Sequence, residues 1–202
     1  MMGALNSLPT EANRIYVRSL RRFSEISVVD ATGGRPRLLT TELCRNDVPN
    51  WSCDGKWIYF GSDRTGRREI WRVSFSGGKA EQVTENGGFA PFESIAGKTL
   101  FYLERLPSPL FAKPRDGGPE RQIVDFVGVS RDIAVFENGI YYGGHFEDGQ
   151  TPIWFYEFST QKSRLITYVD GQIYQGLAVS QDRKSRQPRY FAGRRRIPAE
   201  SR

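Results

Sequence analysis

Short segments of alternating apolar and polar residues recur along the chain, and a turn follows each of them at a fixed distance. The segments begin at Ile26, Ile70, Leu110 and Ile153. Seven residues later come the turns Gly33-Gly34, Gly77-Gly78, Gly117-Gly118 and a degenerate copy, Thr160-Gln161. The turns begin 44, 40 and 43 residues apart. Because glycine adopts the positive φ angles of a two-residue hairpin turn, each copy predicts the outer hairpin of a repeated sheet.

A second hairpin precedes the outer one in each copy. Its clearest example lies between residues 49 and 63, with Asp54 and Gly55 in the turn and an apolar run from Trp57 to Phe60. That run lacks polar alternation, as expected of a strand covered on both faces. Weaker copies occupy residues 91–103 and 133–142, and another begins at residue 176.

One β-propeller blade consists of four short strands within about 40–45 residues. We therefore predict an all-β fold, an incomplete β-propeller of about four four-stranded blades. A β-sandwich is the alternative, since it also joins short strands by regular turns, but it would not require a repeat of this length.

One copy matches a known repeat closely. Its matching residues are Trp51 to Phe60, Ser62 to Arg64, Glu69 to Trp71, Gly77-Gly78 and Val83-Thr84. They resemble the bacterial TolB-type, WD-repeat-like propeller repeat, which reads approximately W-S-P-D-G-K, I-x-F, S-D-R, x-I-y, G-G and L-T. Cys53 stands where that repeat has proline. The resemblance extends from about residue 25 to 185 and implies a non-catalytic scaffold that binds a protein or another ligand.

The resemblance also leaves two other functions open. Propellers of this type follow winged-helix transcriptional regulators or protein kinase domains in some bacterial proteins, so the chain could be the sensory or effector part of a split regulator. Propellers also accompany hydrolase domains, so a fragment of a propeller-associated hydrolase is the second alternative. In either case the partner domain is not recognisable in this sequence.

The repeat divides the chain into three parts. Residues 1–24 form an N-terminal segment with a partial first blade, in which 14–17 is the candidate strand. Residues 25–185 hold the blades, and 186–202 are a basic tail outside the repeat that we expect to be disordered. Because the pattern fails after Lys184, we hypothesise that the reading frame or gene boundary changed near residue 185. Translating the coding DNA in the other two frames should reveal further blade pattern, and its absence would contradict the hypothesis.

A partial ring exposes strand edges and apolar blade faces. We therefore expect the isolated chain to associate with itself through open blade edges. Light scattering after size-exclusion chromatography should then give a mass above the 23.0 kDa of one chain.

The net charge of +6 does not indicate nucleic-acid binding, because the excess is concentrated at one end. Residues 186–202 hold six arginines and one glutamate, so the rest of the chain is close to neutral. The start of the sequence lacks a signal peptide, which predicts a cytoplasmic location, or a periplasmic one if the N-terminus is truncated. No apolar stretch reaches the roughly 20 residues of a membrane-spanning helix.

Candidate chemistry is sparse, and we predict neither an enzyme nor a cofactor or metal. Neither a G-x-S-x-G motif nor a phosphate-binding loop occurs, and His145 is the single histidine. Cys44 and Cys53 are interpreted as free thiols, and Glu147-Asp148 and Gly143-Gly144 as turn residues. The tryptophans, including Trp154, are assigned to blade packing.

Two groups of residues are therefore the candidates for a role. Structural turn positions are predicted at Asp54, Gly55, Gly33, Gly34, Gly77, Gly78, Gly117 and Gly118. Contacts with a protein partner on the rim are predicted at Asp63, Arg64, Arg67 and Arg68, because loops on a rigid scaffold carry binding residues.

Overall fold

A computed structural model describes residues 13–20, 22–105, 107–128, 133–173 and 177, and the regular structure in these residues is entirely β. The strands are β1 (Asn13–Leu20), β2 (Phe23–Asp30), β3 (Arg37–Leu38), β4 (Asn46–Trp51), β5 (Trp57–Ser62), β6 (Glu69–Ser74), β7 (Glu81–Gln82), β8 (Ala90–Glu93), β9 (Thr99–Leu103), β10 (Ser108–Pro114), β11 (Arg121–Val127), β12 (Ile133–Val135), β13 (Gly139–Gly143), β14 (Gln150–Glu157) and β15 (Lys162–Asp170). Within these ranges, the chain has no helix with the length and apolar character that a bilayer crossing requires.

Each sheet is built from consecutive strands. The first has the order β1-β2-β3, and the others are β4-β5-β6-β7, β8-β9-β10-β11 and β12-β13-β14-β15. Antiparallel neighbours in chain order are the arrangement of a propeller blade, so the all-β, four-stranded blade prediction is confirmed for three sheets. The first sheet has three strands in the described residues, and β1 is longer than the predicted segment 14–17. The predicted copy from residue 176 and the tail 186–202 lie outside the described residues, apart from residue 177.

The glycine doublets have the expected positive φ angles, but the prediction of two-residue hairpin turns is wrong. In the first sheet, Gly33 and Gly34 have φ of 108° and 110°. The amide of Gly33 donates to the carbonyl of Asp30 at 3.0 Å, so Gly33 closes a turn whose centre lies before the doublet. The same bond joins Gly77 to Ser74 and Gly117 to Pro114. The next strand of the first sheet begins only at Arg37, so the connection is longer than a tight hairpin.

The repeat extends to individual side-chain hydrogen bonds. The amide of Ile26 donates to Thr40 Oγ1 at 2.9 Å, and the amide of Ile70 donates to Thr84 Oγ1 at 2.8 Å. Both threonines are buried and lie 14 residues after their isoleucine. The residue at this offset in the third sheet is Val124, which cannot accept such a bond, and its strand β11 has seven residues where β3 and β7 have two.

The chain divides into two compact units. Unit 1 comprises Met1–Arg105 and Phe111–Arg121, and unit 2 comprises Leu106–Leu110 and Gln122–Arg202. In unit 1, neighbouring sheets pack face to face. One core cluster holds Ile26, Val28, Leu39, Ile58, Phe60, Val73 and Ala80, and another holds Tyr59, Ile70, Leu100 and Tyr102. The strand β5 contributes to both clusters, which explains why its apolar run shows no alternation.

In unit 2, the fourth sheet buries one face in a core. Ile153 lies there with Ile173 and Leu177, and Tyr141 and Val169 pack against them. The opposite face of this sheet forms one side of a groove.

Candidate functional site

Arg64, one of the predicted rim contacts, is held within its own unit. Its side chain is 10% exposed. Its guanidinium lies 4.6 Å from the centre of the Trp71 ring and 5.4 Å from that of Phe60. It also donates to Ser62 Oγ at 3.1 Å and to Glu42 Oε1 at 3.3 Å. Arg64 therefore braces the second sheet internally and offers a partner little free charge.

The other three predicted rim residues lie on the same loop between β5 and β6. Asp63 Oδ1 accepts a hydrogen bond from the amide of Arg45 at 2.8 Å. Arg67 donates to the buried Glu69 at 2.8 Å, yet its side chain is 60% exposed. Arg68 is 40% exposed. The structure thus places these four residues on one loop, and a partner contact at Asp63, Arg64, Arg67 and Arg68 stays a prediction.

Asp54 closes the tight turn between β4 and β5. Its Oδ1 accepts hydrogen bonds from Ser52 Oγ at 2.6 Å and from the Lys56 amide at 3.0 Å, and Gly55 has a φ of 68°. The Ser52 hydroxyl is the main cause that holds the pKa of Asp54 below its ordinary value of 3.8, with smaller help from the Lys56 amide and Arg115.

Glu93 and Arg115 form a buried ionic cluster with this turn, which the sequence did not reveal. The Glu93 side chain is 1% exposed. It accepts hydrogen bonds from the Cys53 amide and from the Tyr59 hydroxyl, and Arg115 Nη1 lies 3.3 Å from its Oε1. Arg115 Nη2 lies 3.3 Å from Asp54 Oδ2, so one guanidinium joins both carboxylates.

The cluster stabilises the fold and offers no reactive group. Burial raises the pKa of Tyr59, and the negative charge of Glu93 raises it further. Burial, followed by the charge of Glu93, also raises the pKa of the Cys53 thiol, which donates to the Ser94 carbonyl at 2.9 Å. A thiol that stays protonated is a poor nucleophile. Cys44 and Cys53 are both free thiols.

Asp54 gives an acid-sensitivity prediction. Because its pKa in the folded chain is below 3.8, the carboxylate stabilises the fold above about pH 4, and this stabilisation is lost as the pH falls through the folded pKa. Asp54→Asn should therefore show a smaller loss of stability between about pH 5 and pH 2 than the wild-type chain. Urea unfolding followed by circular dichroism across this range measures the difference, and equal pH dependence in both proteins would contradict the assignment.

Unit 2 contains a groove of about 820 Å³. We call it the unit 2 groove, and it is lined by Ile123, Val124, Asp125, Phe126, Tyr142, Gly144, His145, Glu147, Gln150, Pro152, Trp154, Ser163 and Tyr168. Its volume lies within the range of about 300–1,000 Å³ that is usual for ligand sites.

The register of the fourth sheet places its aromatic lining on one face. Tyr142 is directly opposite Trp154, and Tyr168 is directly opposite Pro152. Residues opposite each other across antiparallel strands share a face, as do residues two apart in one strand. These four side chains therefore form a continuous floor, of which Tyr168 is 56% exposed.

The long strand β11 supplies the other wall. The Phe126 ring centre lies 5.2 Å from that of His145. Beyond β11, the Gly128 amide donates to the Gly143 carbonyl at 3.0 Å, and a Cβ added at Gly128 would lie 2.7 Å from the Gly144 carbonyl oxygen. The chain can approach the β13–β14 hairpin this closely because neither Gly128 nor Gly144 carries a side chain.

Polar groups in the groove are bonded in pairs. The Tyr142 hydroxyl donates to Ser163 Oγ at 2.9 Å, and Gln150 Nε2 donates to Asp170 Oδ1 at 2.9 Å. Burial is the main cause that raises the pKa of Tyr142, and the charge of Asp125 adds to the effect. In the described residues, no group of three or more potential metal ligands is present.

Sequence reasoning missed the groove because the lining residues that it did consider were assigned to turns or to packing. Trp154, Gly144 and Glu147 were assigned in this way, and the structure places all three in the lining. A sequence signal did exist: the apolar pattern of β11 continues to Val127, beyond the point where the first two copies end at threonine.

No family model matches the chain. A curated relative, an uncharacterized protein of Agrobacterium fabrum, is 36% identical over 106 residues, which cover 52% of this chain and 36% of that protein. The solved structure of TolB from Acinetobacter baumannii matches with a TM-score of 0.64 at 19% identity, covering 79% of this chain and 41% of that one. A chain of the nidogen/laminin complex matches with a TM-score of 0.63 at 14% identity, covering 84% of this chain and 66% of that one.

The matched regions of these solved structures are β-propeller domains, and their sheets correspond to those described above. The chain has a β-propeller fold. Peptidases are also among the solved structures that match, so the propeller is shared by enzymes and by proteins that are not enzymes. The chain spans about a third of the curated relative that it matches.

Proposed function

We propose that this propeller is a non-catalytic scaffold that binds a protein partner, and that the unit 2 groove holds a segment of that partner. The observation that carries the proposal is the aromatic floor of the groove, on which Tyr168 is more than half exposed and shares a face with the half-buried Trp154. Aromatic side chains on a rigid surface are the residues that most often dominate the energy of protein interfaces.

The departure of this region from the repeat supports the same proposal. In the first two blades the outermost strand has two residues, and a buried threonine ties it to the neighbouring strand. In the third blade the outermost strand is longer, and Val124 replaces the threonine. Packing alone would be satisfied by another regular copy, so residues that break a local pattern are candidates for function.

The chemistry of the groove supports binding rather than catalysis. Serine hydrolysis needs a serine hydroxyl held by a histidine base. Here Ser163 Oγ accepts a hydrogen bond from Tyr142, and His145 packs against Phe126. One of the solved structures that match this chain, the nidogen/laminin complex, is a complex of proteins.

Tyr168→Ser tests the proposal. Random peptides displayed on phage would be selected on the full chain, and the binding of the recovered peptides measured by fluorescence anisotropy. Removing a ring at the centre of an interface costs about 2 kcal/mol, so we expect the Kd to rise about thirtyfold. Because Tyr168 is exposed, the unfolding midpoint should change little.

Tyr16→Ser is the matched control, since Tyr16 is an exposed tyrosine on β1 of unit 1. It should leave the Kd unchanged. Equal binding to the wild-type chain and to Tyr168→Ser would contradict the proposal, as would cleavage of the recovered peptides by the purified chain.

A further inference from the structure

We infer that the segment bound in the unit 2 groove carries an arginine, whose guanidinium stacks on Trp154 between the carboxylates of Glu147 and Asp125. The inference rests on the proposed function and specifies the partner's chemistry. It follows from comparing this groove with the equivalent site of unit 1.

The two sites are copies of one another in the repeat. Trp71 and Trp154 each directly follow the isoleucine of their strand, Ile70 and Ile153. Six residues before these isoleucines lie Arg64 in unit 1 and Glu147 in unit 2. The match continues on either side, because residues 61–66 and 144–149 both begin with glycine and end with a glycine of positive φ.

In unit 1 the chain fills its own site. The Arg64 guanidinium lies over the Trp71 ring at 4.6 Å and is 3.3 Å from Glu42 Oε1. A guanidinium held between an aromatic face and a carboxylate gains both a cation–π attraction and an ion pair. The same combination recurs at Arg72, which lies 4.3 Å from the Trp57 ring centre and 2.7 Å from Glu81.

In unit 2 the charge at this position is reversed. Glu147 replaces the arginine, and in the part of the chain that the structure describes, no guanidinium stacks on Trp154. Arg164 stacks instead on Phe155, which neighbours Trp154 in β14 and therefore faces the other side of the sheet. Among the described residues, the groove thus has the aromatic face of the unit 1 site without a guanidinium stacked on it.

The charged residues that line the groove are both carboxylates, Asp125 and Glu147, and both are exposed. The ion pairs between described residues join arginines to carboxylates other than those of Asp125 and Glu147. Asp125 Oδ1 accepts a hydrogen bond from Gln122 Nε2 at 2.7 Å, and a neutral amide leaves the charge in place. Two exposed carboxylates beside aromatic rings are complementary to a cation that brings its own apolar stem.

A pair of peptides that differ only in charge tests the inference. Arginine in a peptide recovered on the wild-type chain would be replaced by citrulline, which has nearly the same shape but no charge. We expect the arginine peptide to bind the full chain about tenfold more tightly than the citrulline peptide. Raising the ionic strength should reduce this preference.

Two variants make the test specific. Glu147→Gln should reduce the preference for the arginine peptide over the citrulline peptide severalfold, while Asp125 and the Trp154 ring retain the rest of it. Glu147→Arg should weaken the arginine peptide about tenfold or more, because the new side chain would occupy Trp154 as Arg64 occupies Trp71. Glu137→Gln, at an exposed position in the β12–β13 turn, is the control and should leave the preference intact.

The failures of the two proposals are distinguishable. Two outcomes would overturn this inference and leave the proposed groove in place. One is that the recovered peptides contain no arginine. The other is that the arginine and citrulline peptides bind equally well while Tyr168→Ser still weakens their binding. Binding that Tyr168→Ser does not change would instead overturn the proposed function.

Discussion

Replacing Gly61 by alanine should lower the free energy of unfolding by about 3 kcal/mol, although alanine adds a single methyl group. A Cβ at this position would lie 2.4 Å from the carbonyl oxygen of Phe89 and 3.2 Å from its Cα. These are backbone atoms at the start of the third sheet, so the clash cannot be relieved by rotating a side chain. The second and third sheets would have to separate, and the core between Tyr59 and Leu100 would loosen.

Urea unfolding followed by tryptophan fluorescence measures this loss of stability. Thr65→Ala, an exposed substitution a few residues along the same chain segment, should change the free energy by no more than about 0.5 kcal/mol. A Gly61→Ala protein as stable as the control would show that the sheets do not approach each other as described.

Arg115→Met should destabilise unit 1 by about 3 kcal/mol, because it leaves the Glu93 carboxylate buried without its counter-charge. The Glu93 side chain is 1% exposed and would keep only the hydrogen bonds from the Cys53 amide and the Tyr59 hydroxyl. Methionine retains much of the apolar stem, so the effect reports the lost charge rather than lost packing.

A second substitution separates the charge effect from the loss of packing. In the Arg115→Met/Glu93→Gln double variant the buried group is neutral, so the protein should recover part of the stability lost in Arg115→Met. Arg18→Met, which breaks the exposed pair with Glu25, should cost less than about 1 kcal/mol. Equal stability of Arg115→Met and Arg18→Met in chemical denaturation would contradict the role given to the cluster.

The blades could be predicted from the sequence because their signals are local. One signal is the glycine doublet seven residues after the start of a strand, which reflects the conformational preference of glycine. The other is an apolar run such as Trp57 to Phe60, which reflects burial of that segment. The turn geometry was predicted less well. Positive φ at Gly33 and Gly34 was expected, but the position of the turn depends on the hydrogen bond to Asp30, which composition does not reveal.

The ionic cluster of Glu93 and Arg115 was harder to predict because its members meet across blades. Arg115 lies 61 residues from Asp54, and Glu93 lies 40 residues from Cys53, so their contacts depend on how the sheets stack.

The groove raised a different difficulty. Glu147 was interpreted as a turn residue because it was considered alone, and its meaning appears only when it is aligned with Arg64 and the two tryptophans are compared.

Hydrogen–deuterium exchange of the full chain, with and without a recovered arginine peptide, tests the central claim most directly. If the unit 2 groove is the binding surface, amide exchange should slow in β11, β14 and β15. It should stay unchanged in residues 61–72, the equivalent stretch of unit 1. Slowed exchange confined to the loop from Asp63 to Arg68, or equal exchange throughout the chain when peptide is saturating, would contradict the assignment of function to this groove.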